Sequence, residues 1–347
     1  MNQLTVLWLI ALLSPALLHA NTNEKPDIAI QEIDFYNDTH QRPVKVRFWY
    51  SPANKKCDAQ ICLPTSHNPE KLAVLSHGAF GSPRSLNWLG SNLAAQGWLV
   101  AGVAHYEESW VYGRDSIDYR SVARPWQRAQ DIQFLLNNIN QEGVFNQQIK
   151  TDKVLAAGHS AGGFTALSLA GAKISVKKVR DYCQSSKAEM DLGCNYIKQP
   201  LWAKLLTWLG LQSDSSSDLS KALPQELSDF KDNRITAVIA LDPALGHGAT
   251  KESLDNIDIP VAVFGAENND FLPFSVHAEY FAKNIHDSEL HPIGKGAGHF
   301  IFIDQCDHNF DIFDIPLCTD REGTNRGELQ EEIFRKISEF NKNITSL

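Results

Sequence analysis

Five short runs of apolar, largely branched residues constrain this chain more than any other feature. They are Leu72–Ser76, Trp98–Ala104, Lys153–Ala157, Ile235–Leu241 and Ile259–Phe264, and none alternates with polar residues. A strand without a polar face must be buried on both sides, which happens when helices cover both faces of a parallel sheet. Helical patterns fall between the runs, at Ser85 to Gln96, Arg124 to Asn138 and Gly162 to Ala170. That rhythm requires right-handed crossovers and predicts an α/β fold with a mostly parallel central sheet flanked by helices. Asp27 to Tyr50 alternates in part, as in Val44-Lys-Val-Arg-Phe-Trp-Tyr50, and is expected to add antiparallel edge strands. Gly327 to Asn341 is expected to close the domain as an amphipathic helix.

The rhythm breaks over about 173–233, far longer than a strand-to-helix connection needs. This stretch holds a cysteine pair, an apolar run around Trp202 and Trp208, and a Ser/Asp-rich turn from Ser213 to Ser220. Its apolar content gives it something to bury, so it is read as a cap insertion within one domain spanning 21–347. Residues 1–20 carry no charged side chain, hold an apolar run of about ten residues, and end in Leu18-His19-Ala20 before polar Asn21. That pattern is expected of a secretory signal peptide, since the run is shorter than the ~20 residues a bilayer-spanning helix needs. Export makes the chain periplasmic or secreted. The six cysteines fall as three near neighbours: Cys57 with Cys62, Cys183 with Cys194, and Cys306 with Cys318. No pair has zinc-knuckle spacing, so in an oxidising compartment three short-loop disulfides clipping surface excursions are expected.

The segment Gly158-His159-Ser160-Ala161-Gly162 follows one apolar run and opens a helix-capable stretch. Strand, tight turn and helix around Gly-x-Ser-x-Gly form the setting of a nucleophile elbow. Ser160 is therefore the candidate nucleophile. A serine hydroxyl is weak at its free pKa and needs a base, itself oriented by an acid, with the partners following in the order Ser, acid, His. His299, in Gly296-Ala297-Gly298-His299-Phe300, follows the last strand-like region and is preferred as base over His286, His291 and His308. The acid is Asp242, which ends a strand, or alternatively Asp270 or Glu267 after the next strand. An oxyanion hole needs two backbone N–H donors. Ala161 is expected to supply one, and Ala79 (or Phe80), in His77-Gly78-Ala79-Phe80-Gly81, the other. His77 and His159 flank these positions and are read as packing residues.

With Ser76-His77-Gly78, Gly158 to Gly163, Ala240-Leu241-Asp242 and Gly298-His299-Phe300 in view, the chain resembles the plasma-type platelet-activating-factor acetylhydrolases. It also resembles the bacterial dienelactone-hydrolase-like group related to them. The resemblance spans about 72–303. It implies an α/β-hydrolase fold, an acid at Asp242, a first oxyanion N–H at Ala79, and carboxylic ester substrates that include lipid esters. The segment from Glu267 to Pro273 looks like the acid loop of cutinase-like polyester hydrolases, but Asn269 stands where that loop would carry its acid. A small-molecule ester is thus the expected partner, cleaved through an acyl-enzyme that needs no metal or organic cofactor. The formal net charge of −9 argues against nucleic acid and anionic membrane surfaces as partners. The acidic stretch Asp311 to Asp320 lacks the spacing of a calcium loop and is read as a solvated surface. An acyltransferase and a non-catalytic binding protein on the same fold are the rival functions.

Overall fold

The computed structural model describes residues 27–68, 70–196, 228–306 and 310–345. The expected leader and about half of the expected insertion, with Trp202 and Trp208, lie outside them. Among the described residues the chain builds a two-stranded ribbon and, separate from it, an eight-stranded sheet in the order β1-β2-β4-β3-β5-β6-β7-β8. Its strands are β1 (Ala29–Asn37), β2 (Arg42–Tyr50), β3 (Leu72–Ser76), β4 (Leu99–Ala104), β5 (Val154–His159), β6 (Ile235–Leu241), β7 (Val261–Ala266) and β8 (Ser288–Ile293). β2 runs antiparallel to both neighbours, and every other pairing is parallel. The sheet therefore contains one reversed strand. This mostly parallel sheet, with its crossover helices, is the α/β-hydrolase fold.

The two faces of the central strands feed different cores. Val74, Ala156, Val238 and Val263 point to one side, where α2 (Trp126–Asn138), α3 (Ala161–Leu169) and the helix Ala278–Asn284 cover them. Leu75, Leu155, Ile239 and Phe264 point to the other, under α1 (Asn87–Ala95) and the C-terminal helix Arg326–Thr345. Burial on both faces is why β3 to β7 are readable as unbroken apolar runs. β8 is different. Its sequence, Ser-Glu-Leu-His-Pro-Ile, is half polar because no described strand pairs beyond it, and the sequence pattern did not mark it as a strand.

At the start of the expected insertion, α4 (Val176–Cys183) is capped by the Ser175 hydroxyl, which accepts from the Lys178 N–H. Disulfides join Cys57 to Cys62, Cys183 to Cys194, and Cys306 to Cys318. The second is not a surface clip. Cys183 and Cys194 are buried with Val179 and Ala188 in a small core of their own. No helix among the described residues is long and apolar enough to cross a membrane.

Candidate active site

In a parallel sheet the loops leaving the carboxyl ends of the strands share one rim, and that rim is where ligands bind. Here it gathers Ala79 after β3, Ser160 after β5, Asp242 after β6, the loop from Glu267 after β7, and His299 after β8. Ser160 takes φ 56° and ψ −118°, a conformation that non-glycine residues adopt only under constraint. The constraint is contact. A Cβ on Gly162 would lie 1.9 Å from the Ser76 carbonyl oxygen, and one on Gly158 would lie 2.3 Å from the Gly162 carbonyl oxygen. Glycine lets α3 start directly against the end of β3. The elbow is also tied to β6: the Ser160 N–H donates to the Leu241 carbonyl at 3.0 Å, and the Ala244 N–H donates to that of Ser160 at 3.0 Å.

Asp242 also has positive φ, 44°, which turns its carboxylate back along the rim. Its Oδ2 accepts the His299 Nδ1–H at 2.5 Å. The side-chain amide of Asn269 donates to the same oxygen, and the Ala266 N–H reaches Oδ1 at 3.3 Å. Asp270 lies elsewhere: its Oδ1 accepts the main-chain N–H of His299, and its Oδ2 pairs with Arg321. Both carboxylates touch His299, but only Asp242 touches the ring. The Glu267 side chain turns toward Gly294. The imidazole lies nearly parallel to the Phe271 ring, centroids 5.0 Å apart. Burial is the main influence on both members of the pair, lowering the His299 pKa and raising that of Asp242. His299 is thus held neutral, with Nδ1–H spent on Asp242 and Nε2 left as a proton acceptor. Of its rivals, His291 stacks on Phe264 on the edge strand, His286 lies in the turn before β8, and residue 308 is outside the described residues.

His159 and His77 are both buried, and burial lowers both pKa values to about 3. His159 donates from Nε2 to the His299 carbonyl at 3.0 Å. His77 donates from Nδ1 to the Gly78 carbonyl and accepts the His105 N–H at Nε2. Arg128, buried and paired with Glu108 at 2.5 Å, donates to the His77 carbonyl at 2.7 Å. The loop bearing Ala79 is therefore gripped from beneath by groups that sequence reasoning did not single out. Ala79 and Ala161 both line the cavity beside Ser160, and Phe80, with φ 55°, lies on the same wall.

That cavity measures about 950 Å³, with Phe80, Trp110, Phe271, Leu272, Phe300 and Ile303 among its walls. Ser160, His299 and His159 lie on its lining. Asp191, His247 and His277 form a second polar cluster on the wall, their ligating atoms within 4.8 Å of one another. The Gly246 N–H faces His277 Nδ1 at 3.3 Å, so the ring proton sits on Nε2 and points at Asp191, 2.9 Å away. A metal at Nε2 would have to displace that proton onto a nitrogen facing another N–H. As hydrogen-bonded, the cluster anchors the Cys183–Cys194 loop, on which Asp191 lies.

No protein-family model matches the chain, and no curated protein does. Among solved structures it is similar to a ferulic acid esterase from Streptomyces cinnamoneus, with 18% identity and a TM-score of 0.46, over 82% of this chain and 78% of that one. It is also similar to a dienelactone hydrolase from Klebsiella pneumoniae subsp. pneumoniae MGH 78578, with 11% identity and a TM-score of 0.48, over 90% of this chain and 97% of that one.

Proposed function

We propose that the protein is a serine hydrolase of carboxylic esters, with Ser160 as nucleophile, His299 as general base and Asp242 as the acid that orients it. One observation carries this reading: the neutral His299 ring is fixed by Asp242 at 2.5 Å on the wall of the cavity that the strained Ser160 elbow also lines. In the proposed cycle His299 Nε2 takes the Ser160 proton as Oγ attacks the ester carbonyl. The tetrahedral oxyanion lies against the N–H groups of Ala79 and Ala161. The imidazolium, stabilised by Asp242, returns its proton to the departing alcohol. Water, activated by the same imidazole, then hydrolyses the acyl-enzyme.

The aromatic and aliphatic cavity walls favour an apolar ester larger than an acetate. The three disulfides favour an oxidising compartment, in keeping with a secreted or periplasmic protein. The test is hydrolysis of a p-nitrophenyl ester series, acetyl to palmitoyl, by wild type and Ser160→Ala. We expect turnover that rises beyond acetyl and is lost in the variant. Equal rates in the two proteins, or no hydrolysis of any member, would remove the proposal.

A further inference from the structure

The last residue of β7 and the loop after it touch the His299–Asp242 pair four times, and one side chain of that loop has two jobs. Asn269 Oδ1 accepts the N–H groups of Phe271, at 2.9 Å, and Leu272, at 2.8 Å. Those two donors decide which way the amide faces: reversed, its NH₂ would confront two N–H groups and its oxygen would confront a carboxylate. The Nδ2 hydrogens are thereby turned toward Asp242, donating to the oxygen that receives the His299 Nδ1–H. The same turn presents the Ala266 N–H to the other Asp242 oxygen, lays Phe271 against the imidazole face, and supplies Asp270 to the His299 main chain. Asp242 follows β6 and His299 lies on the loop after β8, and Asn269 lies on the loop after β7, the strand between them in the sheet order.

We propose that Asn269 is a positioning residue, which pins the Asp242 carboxylate toward His299 and sets how much of its charge the imidazole feels. The proposal rests on the serine-hydrolase reading above. A carboxylate oxygen shared between an amide donor and an imidazole donor gives each less than it would give one alone. Without the amide, Asp242 gains rotational freedom and draws harder on the His299 proton. The fixed amide thus trades base strength for orientation.

Asn269→Asp separates the two jobs. It is nearly isosteric and still accepts both N–H groups, so the turn survives. At lower pH the two adjacent carboxylates share a proton; above the pH at which that proton leaves, the variant cannot donate to Asp242, and kcat is read there. Asn269→Ala removes both functions. In Asn269→Asp we expect kcat to fall about 10- to 100-fold, the scale of one hydrogen bond to a charged group, while KM changes little. We also expect the acid limb of kcat/KM against pH to move to higher pH, because uncompensated negative charge beside His299 favours the imidazolium. A purely structural residue would lower the rate without moving that limb. Nitrogen NMR of histidine-labelled protein reads the same property without turnover: the His299 titration should shift upward in Asn269→Asp. Wild-type kcat with an unmoved acid limb, while Ser160→Ala is inactive, overturns the proposal. If Ser160→Ala instead keeps wild-type activity, the serine-hydrolase reading fails, and an unshifted His299 titration then overturns the role of Asn269 by itself.

Discussion

His299 is approached by two aspartates, and they reach different parts of it. Asp242 takes the ring proton at 2.5 Å, whereas Asp270 takes the main-chain N–H at 3.1 Å and pairs with Arg321. Asp242→Asn should therefore lower kcat by about 10⁴-fold, because an amide leaves the imidazole in the wrong tautomer. Asp270→Asn should cost no more than about tenfold, since it leaves Nδ1 its partner. Steady-state kinetics on one ester decides, and equal losses in the two variants would contradict the assignment. At this scale the sequence was legible where chemistry is written locally. Ser160 is marked by its glycines and by the strand before it. Asn269 was visible only as a departure from a familiar loop, because its partner is 27 residues away and a sequence carries no sign of an amide turned toward it. The Arg128–Glu108 pair escaped notice for the same reason: a charge in a helical pattern is expected to face water, and this one is buried beneath the Ala79 loop.

Among the elements, β3 to β7 announce themselves because two-sided burial leaves only apolar residues. β8 does not, since at the sheet edge Ser288, Glu289 and His291 meet solvent in part. The loop closed by Cys183–Cys194, a separation of 11 residues, also reaches the cavity. It brings Asp191 and Gly193 to the cavity wall, and Asp191 is held there by His277. Replacing both cysteines with alanine releases a loop whose closure contributes about 3 kcal/mol on chain-entropy grounds. We expect a lower Tm together with a higher KM for a bulky ester, and kcat within about twofold for p-nitrophenyl acetate, since no residue of the Ser160, His299, Asp242 set lies on that loop. An unchanged KM across the ester series would show that the loop does not shape the cavity.

Among the described residues, six imidazoles are buried or nearly so: His77, His105, His159, His247, His277 and His299. Burial lowers the pKa of His77, His159 and His299 to about 3, that of His247 to about 4, and that of His105 well below its ordinary value. Burial also raises Asp131 and Asp242 to about 7 and Asp304 to about 6. As pH falls through roughly 6.5 the histidines of the unfolded chain take up protons that the folded chain refuses, whereas the three aspartates do the opposite. Five groups outweigh three, so the unfolded state binds more protons and stability falls on acidification from about 6.5 to 4.5. Calorimetry should record a lower Tm at the acidic end, and an equal or higher one would refute the balance. The strand order has a consequence of another kind. His299 follows β8, which among the described residues is the last strand of the sheet and is joined only to β7. Local opening of this margin would carry off the imidazole while seven strands still hold their registers. On the serine-hydrolase proposal, ester turnover should then fade on mild warming before circular dichroism records unfolding.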